Sequence, residues 1–187
     1  MYELIRERYF EKGILQSLLV YLGFAFVTGV LAQIRIYLPW TPVPITGSTV
    51  GIVLTGMFLG ERAIFGVLLY VGLGILGVPW FAGLNGGIAA IVGPTGGYLL
   101  GFILASWFIG KIYTNLKYHQ RFGAILFAHI ALIYIPGILG LALWFKAMNH
   151  SLPGIFNLLM MGMIPFIPGD AIKSALLAFI PARKTTF

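Results

Sequence analysis

One acid and one base stand where the rest of the chain is apolar. Asp170 is the sole aspartate, and Lys173 follows it by three positions in the stretch Pro165-Phe166-Ile167-Pro168-Gly169-Asp170-Ala171-Ile172-Lys173-Ser174. Leu158 to Ile164 on one side and Ala175 to Ile180 on the other carry no charge. A carboxylate or ammonium inside a membrane span is costly unless it is paired, hydrogen-bonded or facing water, so the pair marks a functional site. Pro168 and Gly169 predict a helix start with Asp170 in the first turn, where the positive end of the helix dipole favours an anion. The i,i+3 spacing puts Lys173 on the same face. Such a helix end offers one ligand both an acceptor and a cation; an ion pair that only tethers helices is the alternative.

Other chemistries find few residues. There is no cysteine, which excludes disulfides, thiolate metal sites and cysteine nucleophiles. His119 falls in a basic turn, His150 in an external loop, and His129 has no second histidine or acid at ligand spacing, so it reads as a hydrogen-bonded structural histidine and no metal is expected. No base, nucleophile and metal set can be assembled, and no enzyme is expected. Gly72-Leu73-Gly74-Ile75-Leu76-Gly77 has the spelling of a dinucleotide fingerprint but lies in an apolar run with no acid about 20 residues on, so close helix packing through glycine explains it better. The glycines between 79 and 98 are not followed by Lys-Ser/Thr, so a phosphate loop is excluded and the chain is expected to bind no cofactor.

The elements that hold the pair are membrane helices. The chain has 187 residues, 59% hydrophobic and 9% charged, with a mean hydropathy of +0.97. That composition describes an all-α integral membrane protein, since the alternating polarity of a transmembrane barrel is missing. Six spans are predicted: Ile14 to Leu31, Thr49 to Leu59, Ala63 to Val78, Leu99 to Ile112, Phe122 to Phe145 and Phe166 to Ala182. The first also has the form of a signal peptide, with Val30-Leu31-Ala32 as a cleavage site; retention is expected, because the later spans are equally apolar and removal would upset the charge pattern. Nine basic residues (Arg6, Arg8, Lys12, Arg62, Lys111, Lys117, Arg121, Arg183, Lys184) fall on one side and only Arg35, Lys146 and Lys173 elsewhere. This positive-inside pattern places both termini in the cytoplasm, and the net charge of +7 then reports topology in the bilayer rather than a nucleic-acid partner.

Residues 1–187 read as one membrane domain, with a cytoplasmic interfacial segment 1–12 and external connections 33–48, 79–98 and 146–165, the last containing a short helix. In 33–48, Pro39, Pro42 and Pro44 favour an extended path, and the aromatic content suits either a lid over a cavity or an interfacial belt. In 79–98, six glycines with Asn85 and Thr95 give exposed amides, a backbone tolerated at membrane depth only where it is buried or lines a cavity. Ala25 and Gly29 form a small-x-x-x-small pair. Together the loops and the head of the last helix would bind a vitamin-sized amphiphile from outside.

Gly93-Pro94-Thr95-Gly96-Gly97-Tyr98-Leu99-Leu100-Gly101-Phe102 resembles the signature of the BioY family, the substrate-binding (S) components of biotin transporters of the energy-coupling factor (ECF) type. Pro42-Val43-Pro44-Ile45-Thr46, Phe81-Ala82-Gly83 and Pro168-Gly169-Asp170 with Lys173 agree, so the resemblance runs from about Gln33 to Leu177. It implies an S-component-like fold in the cell membrane, biotin as substrate, and partners that comprise a transmembrane scaffold protein and two ATPases, which hydrolyse the ATP. Asp170 would accept a ureido N–H, Asn85 or a loop amide would complete the ring contacts, and Lys173 or Arg35 would pair the carboxylate. Tyr37, Trp40, Trp80 and Phe81 would form apolar walls, with Thr46, Ser48, Gly96 and Tyr98 beside them, and Ala25 and Gly29 would face the scaffold. Similar proteins often carry glutamine where this chain has Ser48, which shortens a polar contact there. An S component for another vitamin, or a proton-coupled secondary transporter using Asp170, is the alternative; no inverted repeat of the spans supports the latter.

Overall fold

The computed structural model describes residues 13–148 and 151–181. The interfacial segment 1–12, His150, Ala182, Arg183 and Lys184 lie outside the described residues. The elements are helices α1 (Ile14–Ala32), α2 (Ser48–Leu59), α3 (Ala63–Ile75), the short α4 (Ala89–Val92), α5 (Gly96–Ile112), α6 (Tyr118–Phe127), α7 (Ile135–Ala147), α8 (Ile155–Gly162) and α9 (Ile167–Ala178). A π-helical stretch, Ala128–Tyr134, joins α6 to α7 without a break. Two two-residue strands, Arg35–Ile36 and Ile45–Thr46, pair antiparallel at the foot of the proline-rich loop, which gives that extended segment a backbone partner.

Among the described residues, five continuous stretches are long and apolar enough to cross a membrane. One of them, Ser48–Ile75, folds back at Gly60, whose φ of 60° is open to glycine and strained for other residues. A Cβ on Gly66 would lie 3.2 Å from both Leu59 and Thr55, contacts that only an antiparallel pair can make. With that fold-back, the described residues are compatible with the six spans expected, and the chain is a multi-pass membrane protein. The last traverse is broken: α8 and α9 are separated by Met163 and the 3₁₀ turn Ile164–Phe166, with Pro165 and Pro168 at the break.

The ends of the bundle differ in charge. Tyr113 donates to Leu177 O at 3.0 Å and to Ile180 O at 2.8 Å, and Arg121 reaches Ile180 O at 3.2 Å, so the connections near 60, 113–121 and 180 share one end. Arg62, Lys111, Lys117 and Arg121 gather there, while Arg35 and Lys146 mark the other end.

Lipid tails are as apolar as leucine, so helices in a bilayer associate through close packing rather than through hydrophobic exclusion. Glycine supplies that closeness between α5 and the continuous π-stretch and α7: a Cβ on Gly140 would sit 2.7 Å from Gly97 Cα, and one on Gly101 2.6 Å from Leu132 O of the π-stretch. The glycine-rich run of α3 works differently from expectation. Gly72 faces open space, whereas Gly74 accepts the ring of Phe81 from the following loop, and Gly77 turns the chain at φ 108°. Ala25 and Gly29 also depart from expectation. Ala25 is buried and Gly29 lies under Trp80, with a virtual Cβ 2.7 Å from Trp80 Cβ, so Gly29 seats the chain's own loop and neither residue offers a free face to a partner.

Candidate functional site

Asp170 and Lys173 form the floor of a cavity of about 370 Å³, within the range of small-molecule sites. Asp170 is 3% exposed. Its Oδ1 accepts from Lys173 Nζ at 2.8 Å and from Thr49 Oγ1 at 3.4 Å, and its Oδ2 accepts from the Tyr134 hydroxyl. Lys173 also donates to Thr46 O at 2.8 Å and contacts Thr49 Oγ1 at 3.2 Å. All the ammonium donors thus have partners. A carboxylate has about four lone-pair sites, so the three bonds to Asp170 leave room for one further donor. Two charges this deep are stable only because they neutralise and hydrogen-bond each other.

Four elements assemble this floor. Helix α9 begins at Ile167 and places Asp170 in its first turn, as the Pro-Gly signal predicts. The paired strands deliver Thr46 O, and Ser48, the first residue of α2, shares a hydrogen bond with the Thr46 hydroxyl. The π-helical stretch brings Tyr134. Apolar walls rise above: Tyr37, Pro42, Phe81, Tyr98, Phe102 and Phe166 line the cavity, with the glycine-rich segment 86–95 along one side. Tyr98 is fixed by donating to Gly162 O at 2.7 Å, which ties α5 to the break in the last traverse.

Of the residues expected at the site, Asp170, Lys173, Asn85, Tyr37, Thr46, Ser48, Phe81 and Tyr98 line the cavity. Trp80, Trp40, Arg35 and Gly96 do not. The Trp80 indole stacks on Tyr70 at 5.6 Å and donates to Tyr70 O at 2.9 Å, so it braces the loop from behind. Trp40 is 54% exposed. Arg35 lies outside, with its guanidinium 5.7 Å from the Tyr37 ring and bonded to Gln33 Oε1 at 3.3 Å. Gly96 faces Ile91 main chain at the start of α5, where a side chain has no space. Asn85 bonds Ala82 O at 2.8 Å, shaping its turn while it faces the cavity.

Three participants escape a reading of the sequence. Tyr134 and Thr49 look like ordinary polar residues of membrane helices. Gln33 staples the loop: its amide donates to Gly29 O at 2.9 Å and to Trp80 O and Phe81 O at 3.1 Å, and its oxygen accepts from Leu84 N–H at 3.0 Å. A glutamine at the end of an apolar helix, before a loop rich in backbone polar groups, is the only hint. His129 is fully buried, with Nδ1 3.3 Å from Ser174 Oγ, as expected of a structural histidine, although its Nε2 has no partner.

The model of the BioY family matches residues 6–186. The chain belongs to the BioY family. Among its relatives, the probable biotin transporter BioY of Methanothermobacter thermautotrophicus is 46% identical over 110 residues, covering 57% of this chain and 70% of that protein. The probable biotin transporter BioY of Pyrococcus horikoshii is 35% identical over 161 residues, 86% of this chain and 90% of the relative. The biotin transporter BioY of Thermotoga maritima is 34% identical over 149 residues, covering 79% and 84%. The crystal structure of the S-component for biotin from an ECF-type ABC transporter superposes with a TM-score of 0.75 at 26% identity, over 89% of this chain and 88% of the other. The BioY fold and the cavity thus coincide in one bundle.

Replacing Tyr134 by Phe removes one donor to Asp170 and leaves the cavity shape intact. A hydrogen bond to a charged group is worth about 1.5 to 3 kcal/mol, so ligand affinity is expected to fall about ten- to a hundredfold. Titration calorimetry of the Tyr134→Phe protein checks this; unchanged affinity would show that the hydroxyl plays no part in binding.

Proposed function

We propose that the chain captures biotin in this cavity from the outer side of the membrane and is the S component of an ECF-type transporter. The carrying observation is the floor: a buried carboxylate with one vacant lone-pair site beside an ammonium, at the base of an apolar cavity. Biotin has a ureido ring with two N–H donors and a carbonyl, an apolar fused ring and chain, and a terminal carboxylate. A ureido N–H on Asp170 brings the ring carbonyl beside Lys173, which can exchange one of its protein acceptors for it. Asn85 lies on the cavity wall, positioned for the second N–H. The carboxylate, at the far end of the molecule, then lies towards the mouth, where Arg35 stands beside Tyr37. The biotin transporters among its relatives and the S-component superposition support biotin over other vitamins.

Energy would come from partners. A transmembrane scaffold protein and two ATPases would bind the chain, hydrolyse ATP and drive its reorientation, in keeping with a sequence that spells no phosphate loop. The test is equilibrium binding of biotin to the detergent-purified chain alone, by calorimetry or by quenching of its four tryptophans. Saturable one-site binding is expected. A folded protein that ignores biotin but binds another vitamin would overturn the assignment of substrate and keep the capture mechanism.

A further inference from the structure

His129 and Tyr134 are five residues apart, and both touch α9. His129 meets Ser174 and Tyr134 meets Asp170. On an α-helix of 3.6 residues per turn, side chains five apart point about 140° away from each other. The intervening segment is π-helical, and i→i+5 winding stacks them on one face. Their targets on α9 are four apart, one above the other on an ordinary helix. The π turn therefore matches a five-residue spacing on one helix to a four-residue spacing on another.

The hydrogens add a direction. Ser174 Oγ donates to Asp170 O at 2.6 Å. A serine hydroxyl has one proton, so in its contact with Ser174 the imidazole is the donor, and the ring also hydrogen-bonds the main chain of Ile125 one turn earlier. His129 then carries its proton on Nδ1, and Nε2 is the bare nitrogen, which agrees with its having no partner in a fully buried position. The chain of contacts runs from His129 Nδ1–H to Ser174 Oγ, and from Ser174 O–H to the main-chain carbonyl of Asp170.

We propose that the π-wound segment is a positioning device for Asp170: Tyr134 holds its carboxylate, while His129 acts through Ser174 on its main chain. His129 and Ser174 lie outside the cavity lining, so they are positioning residues. The inference rests on Asp170 being the ligand acceptor. It gives the buried histidine a role in affinity as well as in packing.

The test uses the detergent-purified full chain with His119→Gln and His150→Gln, which leaves His129 as its only histidine. Nitrogen-15 NMR of labelled imidazole is expected to show the Nδ1-protonated tautomer, and Ser174→Ala is expected to shift that signal. Biotin affinity should fall about three- to tenfold in Ser174→Ala, as for loss of one hydrogen bond. It should fall similarly in His129→Leu and recover in His129→Asn, whose amide N–H takes the place of Nδ1–H. Melting temperature is followed in parallel. An Nε2-protonated tautomer, wild-type affinity in Ser174→Ala, or a loss in His129→Leu that Asn does not repair would overturn the proposal. If the unmutated chain fails to bind biotin, the functional reading falls instead, and the tautomer with its response to Ser174→Ala still decides the contact.

Discussion

Asp170→Asn is expected to lower biotin affinity by at least about a hundredfold while the protein remains folded. The substitution keeps the shape and one acceptor oxygen but removes the charge that Lys173 faces at 2.8 Å. Removing one partner of a buried ion pair costs about 3 to 5 kcal/mol, because the other charge is left uncompensated, and each 1.4 kcal/mol is tenfold in affinity. Lys173 is spared part of that penalty in the empty protein, because Thr46 O still accepts from it and its side chain is 21% exposed. The loss should therefore appear in binding more than in stability. Asp170→Asn/Lys173→Met separates the effects: with both charges gone, the melting temperature should return towards that of the parent chain while binding stays absent. Calorimetry and a thermal melt on both variants provide the check. Equal loss of binding and folding in Asp170→Asn, with recovery of both in the double variant, would make the pair a structural tether.

The second large effect is expected where α5 crosses α7. Gly97→Val places a branched side chain against the main chain of Pro136 and against Gly140 Cα, which would lie 3.0 Å from the first added carbon. Backbone cannot give way as a flexible side chain does. Overpacking costs about 1 to 3 kcal/mol where side chains can move, so about 3 kcal/mol or more is expected here, with loss of monodisperse protein or a sharply lowered melting temperature. Biotin binding should disappear with it, since Tyr98 is the next residue on the same helix and lines the cavity. Gly72→Ala is the control: nothing lies within 4 Å of its virtual Cβ, and its melting temperature should be unchanged or slightly higher. A Gly97→Val protein as stable as that control would show that the helices do not touch here.

Much of this architecture is legible in the chain because a bilayer restricts the choices. Long apolar runs with basic ends leave helices as the economical solution, and the proline and glycine positions mark where they stop. Asp170 and Lys173 were visible for the same reason: a charge in an apolar run must have a partner or a function, and few alternatives compete. Side-chain direction in the loops was not visible. Trp80 and Phe81 are neighbours of similar character, yet Phe81 enters the cavity while Trp80 turns behind it to Tyr70. The bonds from Gln33 to both their carbonyls, made across 47 and 48 residues of sequence, help to decide between them. Arg35 and Trp40 were misplaced by the same reasoning, since proximity in sequence to a lid says nothing of which way each side chain faces.

Ala25 and Gly29 illustrate the limit for small residues. Their spacing announces close approach but carries no label for the approaching group, and at Gly29 that group is the chain's own Trp80. Tyr134 and His129 illustrate it for polar residues, because their roles depend on the phase of a helix that changes winding midway. The apolar traverses, their breaks and the acid–base pair are readable along the chain, since hydrophobic length and the cost of buried charge are local properties. Only the tertiary structure decided which aromatics face the cavity, which glycines touch, and that Tyr134, Thr49 and Ser174 surround Asp170. Those outcomes depend on contacts between helices distant in sequence and on a π turn that shifts their faces, and no local pattern encodes either.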